Sequence, residues 1–134
     1  MKVRAIKILH PSAGELEYHP EVTVGSTYLV RFVSVHPEDG PWVAIIDDLA
    51  LADPRSSRGS FWPIEMFETV DDRIPSNWVC RYDEDGFLNL APASWLVEGF
   101  WGDDYSTRPI SLEERRQMNA DYHRELEIIK RECG

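Results

Sequence analysis

The sequence predicts an α+β fold that is mainly β: a small barrel, then a β-hairpin, a short helix and a C-terminal surface helix. Segments rich in β-branched and aromatic residues fill most of the chain up to residue 91. Glycine and proline turns separate these segments. Apolar residues at helical spacing follow only after Ser111. We interpret residues 1–134 as a single domain, with a barrel-like part in 1–70 and the hairpin and helices in 71–134.

The stretch 59–70 is the segment around which we expect the barrel to pack. It places five bulky apolar residues close together, with Pro63 between them. Proline has a locked φ and no backbone donor, so it ends a strand or opens a tight turn. We predict that residues 61–62 end one strand, that residues 63–66 form a short turn, and that residues 67–70 begin the next strand.

The chain before this corner contains a predicted strand and a predicted hairpin. Residues 3–9 are rich in β-forming residues and predict a first strand. Residues 26–48 predict a hairpin, because two strand-like runs flank a turn at 36–41 with two prolines and a glycine. Residues 49–59 are polar and predict a loop.

A second hairpin is predicted for residues 77–91. With a three-residue loop ending at Gly86, Tyr82 pairs with Leu88 and Cys80 with Leu90. The predicted apolar face holds Trp78, Cys80, Tyr82, Leu88 and Leu90, and the predicted polar face holds Arg81 and Asn89. We therefore expect Cys80 to be a small core residue.

Two helices complete the predicted fold. A short one spans residues 92–99, with proline in its first turn and glycine after its end. The last helix begins after Ser111, because Ser111 and Glu114 have the spacing of a capping box, and it runs to about Arg131. Its apolar stripe consists of Met118, Tyr122, Leu126 and Ile129.

The net charge of −10 is concentrated in the middle of the chain. Residues 36–104 contain fifteen acidic and four basic residues, whereas the segments on either side are close to neutral. A field of this sign repels nucleic acid and anionic membranes and attracts basic molecules. The sequence therefore favours a basic protein as partner over nucleic acid or membrane, while a role in solubility alone stays open.

Residue types that bind metals or cofactors are few and scattered. Cys80, Cys133 and the four histidines lack the spacing of a zinc site, and no Gly-rich phosphate loop is present. We therefore expect no metal and no cofactor. The first nine residues are too charged for a signal peptide and no apolar run approaches a membrane span, so we expect a cytoplasmic protein. The oligomeric state stays open.

Two short motifs resemble those of Src-homology-3-like barrels. Trp42-Val-Ala44 resembles the Trp-x-Ala of the central strand of that family. Trp62-Pro63 through Phe67 resembles the Pro-x-x-x-apolar corner that closes the barrel. The likeness covers residues 22–70 and implies the barrel fold.

The second half of the chain, residues 73–101, is similar to small acidic bacterial proteins of unassigned role. Some of these are similar to immunity proteins, which neutralise a toxin. This likeness implies that the chain inhibits another protein by binding to it.

Runs of acidic residues and one loop tryptophan are the candidate partner-binding residues. Clustered carboxylates present negative charge to a basic surface, and exposed Trp is a common interface anchor. The candidates are Asp47, Asp48, Asp71, Asp72, Asp83, Glu84, Asp85, Trp101, Asp103 and Asp104. The hypothesis is an acidic protein-binding module without catalysis. In its most concrete version it is an immunity protein that neutralises a basic toxin, a nuclease, by covering the nucleic-acid surface of that toxin.

Two alternatives stay open. A carboxylate pair in a pocket between the barrel and the C-terminal helix would suit a small hydrolase or a metal-dependent enzyme. Two acids with pKa values far from the ordinary range would favour that alternative. A Src-homology-3-like adaptor domain would instead show a hydrophobic patch around Trp101 without an acidic rim.

Overall fold

The computed structural model describes residues 1–52, 60–101 and 106–134. The predicted α+β, mainly β fold with a C-terminal helix is confirmed, and the finer likeness to a Src-homology-3-like barrel stays a prediction. The strands are β1 (Lys2–Ala5), β2 (Ile8–His10), β3 (Gly14–Leu16), β4 (Thr27–His36), β5 (Gly40–Ile45), β6 (Phe61–Pro63), β7 (Phe67–Asp71), β8 (Trp78–Tyr82) and β9 (Leu88–Pro92). The helices are α1 (Asp48–Ala52) and α2 (Leu112–Cys133), and 3-10 turns span Ile64–Met66 and Ala93–Leu96.

The ten-residue strand β4 is the centre of the main sheet. The strand order is β6-β5-β4-β1-β7, and β9 pairs with both β4 and β8. Val33 pairs with Val43 of β5 and with Leu90 of β9, so β5 and β9 lie on opposite edges of β4. β1 pairs with the first residues of β4, between Thr27 and Leu29. β4 therefore joins the N-terminal strands and the second hairpin in one sheet.

A β-bulge at Arg31 lets β4 contribute to two cores. The pairing between β4 and β5 shifts between Val30 and Phe32. An extra residue in one strand reverses the alternation of its side chains between the two faces of the sheet. Val30 accordingly packs into one hydrophobic core and Phe32 into another, although they are two positions apart.

The two cores lie on opposite faces of the sheet at β5, whose side chains alternate between them. The first core consists of Val3, Ala5, Ile8, Val22, Tyr28, Val30, Val43, Ile45, Trp62, Met66 and Phe67. The second core consists of Phe32, Ala44, Ala91, Trp95, Phe100, Met118, Tyr122 and Ile129, and it packs the sheet against α2 and the second 3-10 turn. Each face of the sheet is thus covered by its own set of elements.

The predicted corner and the predicted hairpin register are confirmed. Residues 61–71 form a strand, a 3-10 turn and a strand, in that order. In the hairpin of β8 and β9, Tyr82 pairs with Leu88 and Cys80 with Leu90. The loop glycine between the strands has a φ of +83°, as such a loop requires.

The predicted C-terminal helix is also confirmed. Ser111 accepts a hydrogen bond from the backbone N–H of Glu114, and the Glu114 carboxylate accepts one from the Ser111 N–H. Met118, Tyr122 and Ile129 are buried, as the stripe predicts. The short helix predicted at 92–99 is a 3-10 turn over Ala93–Leu96.

The predicted solvent exposure of the second hairpin is wrong at Cys80, Tyr82 and Asn89, whereas Arg81 is exposed and Trp78 packs against the cores as predicted. Cys80 is exposed, Tyr82 is 75% exposed, and Asn89 is buried. β8 is an edge strand that pairs only with β9 among the described residues, whereas β9 lies between β8 and β4. Asn89 can be buried because its amide accepts from the Ser34 hydroxyl and donates to Asp83.

The strand predicted at 3–9 is two strands, β1 and β2. The backbone N–H groups of Ile6 and Lys7 both donate to the carbonyl of Met66, in the 3-10 turn of the corner. These donors are therefore lost to a continuous strand ladder, and the chain bends between the two strands. The loop predicted at 49–59 begins inside α1, and its residues 53–59 lie outside the described part of the chain.

Replacing the helix cap is expected to destabilise the protein. Ser111→Ala removes the hydroxyl that accepts from Glu114 at 3.1 Å, and the free energy of unfolding should fall by about 1 kcal/mol. Urea denaturation at pH 7 measures it. Asn119→Ala, at an exposed position inside the same helix, is the control and should leave stability unchanged or raise it, because Ala is the better helix former. Equal losses in both variants would contradict the capping box.

The exposure of Cys80 predicts two classes of thiol. Cys133 is 1% exposed and its sulfur lies 3.7 Å from the carbonyl of Arg73, so a thiol reagent should reach only Cys80 in the folded protein. Titration with Ellman's reagent should show one fast thiol in buffer and two in urea. Cys80→Ser should abolish the fast reaction, and two fast thiols in buffer would contradict the placement of Cys133.

Candidate functional site

Asp47 and Asp48 serve the fold at the end of β5. Asp47 is 4% exposed, and its carboxylate accepts from the backbone N–H of Ala50 at 2.9 Å at the start of α1. The Asp48 carboxylate accepts from the Thr23 hydroxyl at 2.7 Å and from the Tyr28 hydroxyl at 3.0 Å. Asp47 is therefore not part of an exposed acidic face, because it is buried where a helix begins instead of standing on a strand.

Asp71 and Asp72 lie at the end of β7, and of the two only Asp71 has a basic partner among the described residues. Asp71 accepts hydrogen bonds from the Arg73 guanidinium at 2.6 and 3.0 Å and from the Arg73 backbone N–H at 3.0 Å. These bonds hold the pKa of the Asp71 carboxyl well below its usual range. Asp72 is exposed. Arg73 therefore compensates much of the charge that this pair would show to a partner.

Asp83 builds the turn between β8 and β9, and its two successors do not. One carboxylate oxygen of Asp83 accepts from the backbone N–H groups of Asp85 and Phe87 at 2.9 and 3.0 Å. The other oxygen accepts from the side chain of Asn89 at 3.1 Å. Glu84 and Asp85 are exposed. The hydrogen bonds of the Asp83 carboxylate thus hold the turn that presents the carboxylates of Glu84 and Asp85 to solvent.

The structure brings a second acidic turn against this one. β9 runs along the end of β4, with Val35 opposite Leu88. The ring of His36, at the end of β4, therefore lies 4.6 Å from the ring of Phe87. Glu38 and Asp39 follow His36 in the turn between β4 and β5, and both are exposed. We call the resulting cluster of Glu38, Asp39, Asp83, Glu84 and Asp85 the acidic tip.

Sequence reasoning did not select Glu38 and Asp39. The sequence predicts only a turn at these two positions, because nothing near them in the chain indicates that a turn forty-five residues later lies alongside. The pairing of β4 with β9, which joins distant parts of the chain, brings the two turns together.

The other predicted acidic residues that the structure describes do not join the acidic tip. Asp48 contacts Tyr28 at the start of β4, whereas the tip adjoins His36 at its end. Eight residues of strand separate these points by roughly 26 Å, at about 3.3 Å per residue. Asp103 and Asp104 lie outside the described residues. The predicted single acidic face is therefore divided between two ends of the sheet.

Trp101 is half-buried and packs against the second core. Its indole N–H donates to the carbonyl of Trp95 at 2.9 Å. Its ring makes edge-on contacts with the rings of Phe32 and Tyr122. The guanidinium carbon of Arg31 lies 5.7 Å from the centre of the Trp101 ring, within range of a cation–π interaction. Most of this side chain is therefore committed to covering the core.

Among the described residues, every carboxylic acid with a shifted pKa accepts hydrogen bonds from nearby donors. Arg108 and the Ser111 N–H lower the pKa of the Glu114 carboxyl to about 2. Among the described residues, the carboxyls with a lowered pKa are those of Asp71, Glu98, Glu114 and Glu132. A carboxyl with a lowered pKa is charged at neutral pH and cannot donate a proton as a general acid. These shifts therefore indicate structural contacts and do not favour the enzyme alternative.

One open groove lies between the sheet and the end of α2. It has a volume of about 370 Å³. Its lining consists of Lys2, Thr27, Tyr28, Leu29, Ile46, Leu51, Lys130 and Gly134. Among the described residues that line it there is no aspartate or glutamate, so they supply no carboxylate pair of the kind that the enzyme alternative requires. Among the described residues, no three or more His, Cys, Asp or Glu side chains are grouped to hold a metal ion.

Comparison with known proteins identifies no relative. No family model, no curated protein and no solved structure matches the chain. The likenesses to Src-homology-3-like barrels and to immunity proteins therefore stay predictions. In the part of the chain that the structure describes, no helix is long and apolar enough to cross a membrane.

The ion pair at the end of β7 predicts a specific titration. In Arg73→Gln the pKa of the Asp71 carboxyl should rise toward its ordinary value of 3.8, because the guanidinium that stabilises the charged form is gone. Carbon-detected NMR during a pH titration measures it. Since the folded-state pKa lies below the unfolded one, the ion pair stabilises the fold at neutral pH, and this contribution disappears as the pH falls through the folded-state pKa.

Arg81→Gln provides the control for this titration. Arg81 is an exposed arginine on β8, and it is not among the causes of the Asp71 shift. The pKa of Asp71 should not change in this variant. A carboxyl that kept its low pKa in Arg73→Gln would show that the guanidinium is not the main cause and that the backbone N–H of residue 73 or another group holds it.

Proposed function

We propose that this protein binds a basic protein through the acidic tip. The observation that carries the proposal is the convergence of two hairpin turns, which places five carboxylates at one end of the sheet. A concentrated negative charge attracts a positively charged surface and repels nucleic acid and other acidic molecules. Charge complementarity of this kind speeds association and selects the partner.

Both turns of the acidic tip are held in shape by side chains of the fold, and the Asp39 carboxylate lies 3.7 Å from Nδ1 of His36. His36 accepts through Nδ1 from the backbone N–H groups of Glu38 and Asp39, at 3.1 and 3.2 Å. Asp83 holds the second turn in the same way. Within the described chain, Glu84 and Asp85 have no ion pair. A partner therefore meets charges that are already positioned, and less conformational entropy is lost on binding.

The narrower form of the proposal is an immunity protein whose partner is a basic toxin, a nuclease. A nuclease needs a positively charged surface to hold the phosphate backbone of its substrate. The acidic tip offers exposed carboxylates at a density that such a surface would bind in place of phosphates. Inhibition would follow because the tip covers the surface that the nucleic acid needs.

Removing charge from the acidic tip is expected to slow capture of the partner. The test variant combines Glu38→Gln, Glu84→Gln and Asp85→Asn, and it keeps Asp83 because that residue builds the turn. Wild-type protein immobilised at low salt should retain one small basic protein from the native lysate and release it in a salt step. The test variant should associate with this protein about tenfold more slowly, as measured by biolayer interferometry.

A second triple variant distinguishes the effect of charge at the acidic tip from the effect of net charge. Glu15→Gln, Glu17→Gln and Glu65→Gln remove the same charge from exposed positions outside the acidic tip. This control should associate at nearly the wild-type rate. Equal slowing in both variants would show that only net charge matters, and unchanged rates in both would overturn the proposed function.

A further inference from the structure

The outer edge of β8 has no strand beside it in the described structure. β8 pairs with β9 on one side, and no other described strand pairs with it. Its middle and last residues, Cys80 and Tyr82, are exposed, and Tyr82 is 75% exposed. An open edge of this kind offers backbone donors and acceptors to an added strand.

The register determines which backbone groups point outward. In an antiparallel pair, facing residues alternate between hydrogen-bonded and non-bonded pairs. The Asp83 N–H donates to the Phe87 carbonyl at 2.9 Å, so the pairs at Arg81 and Val79 are also bonded to β9. The N–H and C=O groups of the intervening residues, at positions 80 and 82, therefore face away from β9. The position of Pro92 is consistent with this alternation. Proline has no N–H, and Pro92 faces Trp78 in a non-bonded pair.

We propose that an extended segment of the basic partner adds to β8 as a strand. This inference rests on the proposed function and gives it a binding mode. The segment bonds to the outward backbone groups of Cys80 and Tyr82. β8 leads directly into the turn of Asp83, so basic side chains of the same segment reach Glu84 and Asp85. Backbone hydrogen bonds supply the docking, and the acidic tip selects for positive charge.

Charge decides between a basic segment and a second copy of the chain as the occupant. Two copies that paired through β8 would each bring a net charge of −10. Like charges of this size oppose association, whereas a basic segment gains from the same field. The Trp78 N–H is already used by the carbonyl of Pro75, so the added strand bonds at the end of β8 nearest the acidic tip.

The probe for this inference is a peptide of alternating lysine and valine, blocked at both ends. Its matched control has the same sequence with every backbone nitrogen methylated, which keeps the charge and removes all of the backbone donors. In NMR titrations of the wild-type protein at low salt, the first peptide should bind and protect the amides of Cys80 and Tyr82 from hydrogen exchange. The second should bind about tenfold more weakly, because it cannot pair along the edge.

A proline in β8 tests the outward donor from the protein side. Cys80→Pro removes an N–H that points away from β9, so the ladder to β9 is kept, and binding of the lysine–valine peptide should weaken about tenfold. Cys80→Ser should bind within about twofold of wild type. Circular dichroism and thermal melting show whether Cys80→Pro is folded. If this variant does not fold, hydrogen exchange of the Cys80 and Tyr82 amides in the wild-type protein decides whether the peptide adds to β8.

The outcomes separate this inference from the proposed function. If the peptide binds equally well to Cys80→Pro, folded as wild type, and only the acidic-tip variant loses it, strand addition is overturned and the proposed function stands. If the peptide fails to bind, or if light scattering shows a wild-type dimer that Cys80→Pro dissociates, strand addition is overturned. If the acidic-tip variant binds the peptide with the same affinity as wild type, the claim that the acidic tip selects for positive charge is overturned.

Discussion

The pairing of β4 along both of its edges is the constraint on which the rest of the structure depends. β5 occupies one edge, and β1 and β9 share the other. The bulge at Arg31 turns successive parts of β4 toward different cores, so one strand anchors both the N-terminal strands and the α2 layer. Arg31 itself is buried, with its Nε donating to the Ile45 carbonyl and its guanidinium near Trp101. Both cores therefore depend on the geometry at this position.

The same pairing also positions the features on which the proposed function rests. The first residues of β9 pair with the last residues of β4, so the turn after β4 and the turn before β9 must lie together at one end of the sheet. β8 is carried outward as an edge beyond β9, with its free backbone groups leading to the same end. An acidic surface and an open strand edge are thus adjacent because of one strand register. A partner that uses both would gain backbone hydrogen bonds and charge complementarity in one contact.

Hydrogen bonding separates the structural acids from those available to a partner. Asp47 caps a helix, Asp71 is held by Arg73, and Asp83 builds a turn. Each of these carboxylates is held by donors of the fold, and the charge of Asp71 is compensated by Arg73. Glu84 and Asp85 are exposed in a turn that the Asp83 carboxylate holds. The acidic residues that remain for recognition are therefore fewer than the acidic residues of the chain. They are concentrated at one end of the sheet.

The sequence by itself determined the features that depend on neighbouring residues. The capping box at Ser111, the turn after Pro63 and the register of the second hairpin follow from local backbone geometry, and all three are present. Only the tertiary structure decided which face of β8 meets solvent and which acids converge. Asn89 is buried and Cys80 exposed because β4 pairs with β9, a contact between residues far apart in the chain. Side-chain polarity along a single strand does not specify which neighbour will cover it, so this part of the candidate site could not be predicted.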